Sequence, residues 1–454
     1  MKKVLLACLT MLSFVMTTQA QELPLLKISD DRHYLITENQ DPFFWLGGTA
    51  WEMLHRLNEE ETTLYLKDRA GKGFTVIQTV ILAELSGLTI PNRNGDLPLI
   101  NQDPAQINEK YFSHVDFVIR QAGELGMYIG LLPTWGDKFN KKWGEGPEIF
   151  TPENAEIYGE TLGHRYAGNN NIIWILGGDR IPETDQHFKI INAMARGIRK
   201  ADTRHMITYH PMGGGATAAE LINEEWLDLD MFQSGHDRNV KIYELVAKSR
   251  ALTPVRPVIN GEPLYENIPN RFWTEDPGTW LDDADVRRSA YRTMLTGAAG
   301  YTYGCNDIWQ MYSAGQQAVI QARTDWSEAI HLPGSAHMKH MKDLLVSFPW
   351  QKMINNQSLI VSENPNDLDY IVCALGSKSD FLLAYTPAGR AIELDLSNFN
   401  AQKIKAFWFN PRSGKSVKIG EYDVTNIPQF KPWAEGRGSD FVLVLMDINA
   451  DYSL

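Results

Sequence analysis

Ile172–Asp179 reads IIWILGGD, an unbroken apolar run that ends on two glycines and an acid, and Pro257–Glu262, PVINGE, ends on Asn260, Gly261 and the acid Glu262. A short continuous apolar run, rather than an alternating one, suits a strand covered on both faces, as in a parallel sheet. Six more runs share this texture: Phe43–Trp51, Thr75–Leu82, Met127–Trp135, Met206–His210, Leu229–His236 and Gly300–Trp309. Helical stretches fall between them at Asn58–Lys72, Asn108–Leu125, Thr151–Tyr166, Gln186–Lys200, Val240–Ala251 and Asp285–Thr296. In Asn108–Leu125 the apolar residues Phe112, Val115, Val118, Ile119 and Ala122 recur at helical spacing. Strands alternating with helices imply a parallel sheet, and a count of eight favours a closed (β/α)8 TIM barrel over an open doubly wound sheet.

Outward from this core, Leu26–Thr37 reads as a β-hairpin capping the bottom of the barrel. From Phe348 the helical stripes stop. Ser358–Val361, Tyr370–Ala374, Phe381–Tyr385, Ile392–Leu396, Lys405–Phe409 and Phe441–Met446 predict a C-terminal antiparallel β-sandwich. Residues 1–20 (MKKVLLACLTMLSFVMTTQA) have the lysines, apolar stretch and small-residue end of a secretory signal. The expected organisation is therefore a signal over 1–20, a barrel with its hairpin over 21–345, and a sandwich over 346–454. Export to a periplasm or the cell exterior follows from the signal. Cys305 and Cys373, assigned to different domains, are expected to be free, buried thiols.

The net charge of −13 lacks the basic footprint that binding of nucleic acid needs. After the signal no run is long and apolar enough to span a bilayer. The pattern leaves oligomeric state open.

Side chains just past the C-terminal ends of barrel strands converge on one mouth. Here they are Thr49, Trp51, Gln78, Thr134, Trp135, Asp179, His210, His236, Glu262, Asn306, Asp307 and Trp309. The loop after the third strand adds Asp137, Lys138 and Trp143. Amides, imidazoles, acids and indoles together suit a polyhydroxylated ligand, and Thr49, Trp51, Gln78, Trp135, Asp137, His210, His236, Asn306 and Trp309 are the candidate substrate contacts. A buried apolar strand seldom ends in an unpaired acid, so Asp179 and Glu262 are the candidate catalytic pair. The competing assignment is structural ion pairing, Asp179 with Arg180 and Glu262 with the Arg256 that precedes its strand. Two facing carboxyls can cut a glycosidic bond, at a separation of about 5–5.5 Å if configuration is retained and about 6.5–9.5 Å if inverted. Asp179 is assigned as acid/base and Glu262 as nucleophile. No HExxH or GxSxG motif and no phosphate loop is present, and neither metal nor cofactor is expected. A non-catalytic carbohydrate-binding barrel and a pectin lyase are the alternatives.

FFWLGGTAWEMLHRL, TVIQTVIL, LLPTWGDKF, NIIWILGGDR, TYHPMGG, VINGEPLYE and GYTYGCNDIWQ together resemble the apiosidase-like barrels of glycoside hydrolase family 140, over nearly the whole chain after the signal. The resemblance implies a (β/α)8 glycosidase with an appended β domain. It further implies cleavage of apiose–galacturonic acid linkages in the pectin rhamnogalacturonan II, with the catalytic aspartate and glutamate falling on Asp179 and Glu262. The broader strand-four/strand-seven glycosidases close strand four with Asn-Glu, where this chain has Gly178-Asp179. The shorter acid changes the reach, and the missing amide leaves hydrogen bonding to the sugar to Gln78 or His210. Because related barrels share these motifs, a glycosidase of another plant cell-wall sugar is the further alternative.

Overall fold

A computed structural model describes residues 22–216, 221–275 and 278–454. The predicted signal, including Cys8, lies outside them. Eight strands run parallel in one sheet: β4 (Trp45–Thr49), β5 (Val76–Leu82), β6 (Tyr128–Thr134), β7 (Ile172–Gly177), β8 (Ile207–His210), β9 (Asp230–Gln233), β10 (Val258–Glu262) and β11 (Gly300–Tyr303). Their order is β8-β7-β6-β5-β4-β11-β10-β9. The seam between β8 and β9 is drawn shut by the Asp228 N–H on Ile207 O (2.9 Å) and the Thr208 hydroxyl on Leu229 O (2.9 Å). The result is a TIM barrel.

The continuous apolar run of β7 has its physical reason here. Ile173 and Ile175 point into the barrel with Trp45, Val76, Val80, Leu132, Met231 and Ile259. Ile172, Trp174 and Leu176 point outward under the surrounding helices. Both faces are dry, so a polar residue on either would sit in apolar surroundings, where each fully buried large apolar side chain contributes about 1.5–3 kcal/mol. Flanking helices are capped as their sequences suggest. Thr151 opens Pro152–Tyr166 and Thr184 opens Asp185–Ala201, each accepting a bond from a backbone N–H three residues on.

The N-terminal plug is a three-stranded sheet, β1 (Leu26–Ile28), β2 (Leu35–Thr37) and β3 (Pro42–Phe43), whose Leu26, Leu35 and Phe43 close the barrel interior against Tyr128, Met206 and Leu229. Phe43, read from sequence as the start of the first barrel strand, instead pairs with Leu35. At the other end of the barrel, β11 stops at Tyr303 rather than reaching Trp309. A Cβ on Gly304 would lie 2.0 Å from the Tyr265 ring. The chain then turns into a helical turn, Asn306–Trp309.

The C-terminal unit is a six-stranded antiparallel sheet, β12 (Met353–Asn355), β13 (Val372–Gly376), β14 (Phe381–Thr386), β15 (Lys403–Asn410), β16 (Lys415–Asp423) and β17 (Phe441–Asp447), in the order β12-β13-β14-β17-β15-β16. Phe381, Leu383, Tyr385, Val442 and Val444 face the barrel helices. Leu382, Phe441, Leu443 and Leu445 face an outer layer containing Ile392, Leu394 and Phe430. That second layer is held by isolated bridges, Ile360 to Leu394 and Ile392 to Phe430, so Ser358–Val361 and Ile392–Leu396 are not regular strands. The two units are joined by a buried ion pair: Arg287 of helix Asp283–Leu295 reaches Asp440 at 2.9 Å, and the Tyr385 hydroxyl also donates to Asp440. Cys305 and Cys373 are buried and unpaired.

Candidate active site

Strand β7 delivers Asp179 through three consecutive left-handed residues, Gly177 (φ 86), Gly178 (φ 111) and Asp179 itself (φ 50). The glycines are required by space as well as by backbone. A Cβ on Gly177 would lie 2.6 Å from the Tyr209 ring, and one on Gly178 2.8 Å from Trp135. An L-residue tolerates positive φ best as Asn or Asp, so the strained position also fits an acid. The turn points the Asp179 carboxyl into the barrel mouth. Strand β10 delivers Glu262 at its last residue, beyond a bulge against β9 between Asn260 and Glu262.

One imidazole links the two acids. The backbone N–H of Asp179 donates to His210 Nδ1 at 3.1 Å. A ring nitrogen that accepts carries no proton, so the other nitrogen, Nε2, bears the hydrogen. That nitrogen lies 3.0 Å from Glu262 Oε2, off the line of an ideal hydrogen bond but in close electrostatic contact. His236 Nε2 lies 3.2 Å from the other oxygen, Oε1. Burial alone would raise the Glu262 carboxyl, but the contacts with His210 and His236 outweigh it and bring it down to about 2. Asp179 goes the other way. Burial first, then the negative charge of Glu262, push it up to about 6, against the opposing pull of Arg180, His210 and the Trp143 N–H. Two carboxyls thus share one mouth with their titration pushed in opposite directions, Asp179 up and Glu262 down, a separation that suits acid work by one and charge by the other.

Structural ion pairing is weak for Asp179 and absent for Glu262 with Arg256. Arg180 is buried and touches Asp179 Oδ2 only at 3.4 Å; its stronger bonds go to the carbonyls of Asn140 (2.8 Å), Asp179 (2.8 Å) and Lys141 (2.9 Å). Arg256 bonds the carbonyls of Leu227 and Ile222.

Of the remaining residues expected at the mouth, His210, Trp51 and Trp135 form one aromatic floor, with ring centroids 5.2–5.8 Å apart. His236 packs against Tyr265 with ring centroids 4.4 Å apart and planes tilted by 49°. Trp51 Nε1 donates to the Tyr265 hydroxyl at 3.1 Å, and Thr49 sits beside the same hydroxyl. Gln78, Asp137 and Asn306 are fully buried and engaged within the protein. The Gln78 amide donates to Gly261 O (3.0 Å) and accepts from Thr302 (2.9 Å), bracing the barrel from inside. Asp137 pairs with Lys138 and accepts from the Gly146 N–H, fixing the loop after β6. Asn306 accepts from Trp309 Nε1 at 3.1 Å. These three support the mouth.

Sequence reading did not single out Tyr265 or Glu84, and gave Arg180 only as an ion-pair partner for Asp179. Tyr265 belongs to the loop after β10 and lies against Glu262. Glu84 follows β5; burial and the charges of Asp137 and Asp179 push its carboxyl up to about 8. Only the acidity of the EPLYE and LAEL stretches hinted at either residue, since loop paths leave no periodic signal. Trp143 was noted in its loop without a role. A cavity of about 360 Å³ lined by His55, Arg56, Leu85, Asn92 and Glu145 adjoins this rim. A larger one, about 530 Å³, lies among Asp116, Arg120 and Arg165 and shares no residue with the mouth.

Comparison with known proteins agrees with this geometry. The family model described as "Apiosidase-like, catalytic domain" matches residues 29–352, and a second, that of a proposed collagen-binding domain of a collagenase, matches 354–446. Two solved structures are 33% identical with a TM-score of 0.87. One is a glycoside hydrolase, covering 95% of this chain and 98% of its own. The other is a glycoside hydrolase family 5 protein from Bacteroides vulgatus, covering 95% and 96%. No curated protein sequence matches the chain. With two carboxyls at the mouth of a TIM barrel and a family model that matches residues 29–352, this chain belongs to the apiosidase-like family of glycoside hydrolases.

Proposed function

We propose that the enzyme is an exported, configuration-retaining glycosidase that releases apiose from its linkage to galacturonic acid in rhamnogalacturonan II. The family description supports the sugar, and the leader sequence MKKVLLACLTMLSFVMTTQA supports export. The observation that carries the mechanism is His210, whose two ring nitrogens touch the Asp179 backbone and the Glu262 carboxylate and so hold both acids to one centre.

In the first step Glu262, kept ionised by His210 and His236, attacks the anomeric carbon while Asp179 gives its proton to the departing glycosidic oxygen. In the second, Asp179, now a carboxylate, takes a proton from water, and that water displaces Glu262 from the sugar. The same carboxyl must be protonated at the start and basic midway, which suits a group placed near 6.

Rhamnogalacturonan II oligosaccharides and a panel of other pectic and hemicellulosic oligosaccharides, incubated with the enzyme and resolved by chromatography, test the reading. Released apiose supports it, and release of a different sugar reassigns the substrate. Asp179→Ala and Glu262→Ala are each expected to abolish release with the fold intact. Wild-type turnover by either variant would refute the assigned roles, and binding without any release would favour a non-catalytic barrel.

A further inference from the structure

Trp143 is unusual in this structure. More than half of its surface (56%) is exposed, yet its indole Nε1 donates to Asp179 Oδ2 at 3.1 Å. Exposure of a single large apolar side chain is ordinary on a protein surface. Bonding of that side chain to a catalytic acid is not.

The loop is built to hold it there. Arg180 bonds the carbonyls of Asn140 and Lys141 just before Trp143, and the Gly144 N–H returns to Lys141 O at 2.7 Å just after it. Asp137 grips the Gly146 N–H at 2.7 Å. A Cβ on Gly144 would lie 2.4 Å from Asp137, so the loop closes this tightly only with glycine at that position. The Arg180 guanidinium sits 4.2 Å from the indole centroid, a cation–π contact that fixes the ring plane. The mouth therefore carries a rigid, outward-facing indole.

Its position relative to the carboxyl is informative. Trp143 Nε1 and, more distantly, Arg180 Nη1 both address Oδ2 of Asp179. With donors on Oδ2, the transferable proton belongs on Oδ1. The oxygen that delivers it must face the glycosidic oxygen, so a ring bonded to the same carboxyl borders the leaving group. A flat apolar indole suits the C–H face of a sugar ring.

We infer that Trp143 has two roles: it positions Asp179 by occupying Oδ2, and it forms the platform on which the leaving-group sugar stacks. This rests on the acid/base role proposed for Asp179.

Trp143→Phe keeps a ring and removes the N–H, while Trp143→Ala removes both. In the bound pair the N–H favours ionised Asp179, so its loss raises that carboxyl further. The alkaline limb of kcat/KM is thus expected to move to higher pH in both variants. KM for an oligosaccharide substrate is expected to rise about two- to tenfold in Trp143→Ala alone, the range for losing one aromatic stacking contact. The kcat loss in Trp143→Phe is expected to shrink with a dinitrophenyl leaving group, which needs little protonation. An unmoved alkaline limb in Trp143→Phe overturns the positioning role, and an unchanged KM in Trp143→Ala overturns the platform. A substrate-free readout separates this proposal from the choice of sugar. The Trp143 indole N–H resonance in 15N NMR is expected to titrate near pH 6 and to lose that titration in Asp179→Asn; a resonance flat with pH in the wild type refutes the pairing, whichever glycoside the enzyme cuts.

Discussion

Replacing Asp179 by Asn is expected to inactivate the enzyme and, above neutral pH, to make it more stable. The carboxyl lies at about 6 in the folded protein against 3.8 as its ordinary value. A raised value means that folding favours the protonated form. The stability this group contributes is complete below about pH 3.8, declines as pH rises through the interval to 6, and levels off above it. The interval of 6 − 3.8 = 2.2 pH units corresponds to about 3 kcal/mol of destabilisation in wild type at pH 8. Asparagine carries no charge at any pH, still accepts the Trp143 N–H, and tolerates the left-handed backbone at this position. Asp179→Asn should therefore melt about 3 °C above wild type at pH 8, for a chain of this size, and alongside it at pH 3.5. Thermal unfolding of both proteins across pH 3.5–8.5 measures the gap. A gap that is absent at pH 8, or equally large at pH 3.5, would show that burial and Glu262 do not raise the Asp179 carboxyl above its ordinary value.

Three further expectations follow from named contacts. His210→Ala removes one electrostatic partner of Glu262 and the acceptor of the Asp179 N–H; leaving that buried N–H unsatisfied costs about 1–3 kcal/mol, so kcat/KM should fall about 5- to 150-fold, measured by steady-state kinetics. Glu84→Gln removes a carboxyl raised to about 8 by burial and Asp137; because that contribution is lost as pH climbs from 4.5 towards 8, the variant should gain in melting temperature over wild type across this range and match it at pH 4. Asp440→Ala removes the carboxylate that Arg287 shares with Arg412 between barrel and C-terminal sheet; because Asp283 still pairs with Arg287, the cost in a urea unfolding series should stay below the roughly 3–5 kcal/mol of a fully unpaired buried charge.

The barrel was legible in the sequence because strands covered on both faces must be apolar throughout, as Ile172–Leu176 are. The same logic overran at its eighth strand, since Tyr303-Gly304-Cys305 continues the apolar texture while the Tyr265 ring forces the backbone to turn. In the C-terminal sheet, β16 went unread. It runs KSVKIGEYD along an edge, half exposed and rich in charge, so no hydrophobic pattern marks it. At the mouth, Asp179 and Glu262 stood out as acids ending apolar runs. Gln78, Asp137 and Asn306 carried the same strand-end signature, but sequence cannot tell a polar group facing a ligand from one bonded across the barrel. Arg180, Trp143 and Tyr265 act through loop paths fixed by particular backbone carbonyls, and those paths have no period to read.

The stereochemistry of hydrolysis tests the central claim most directly, because it reports what Glu262 does at the anomeric carbon. Proton NMR of the first sugar released, recorded before mutarotation, is expected to show the anomeric configuration of the substrate, the product of attack by Glu262 followed by water. Release of the opposite anomer would mean that water attacks without a Glu262-bound intermediate, and would contradict the roles given to both acids.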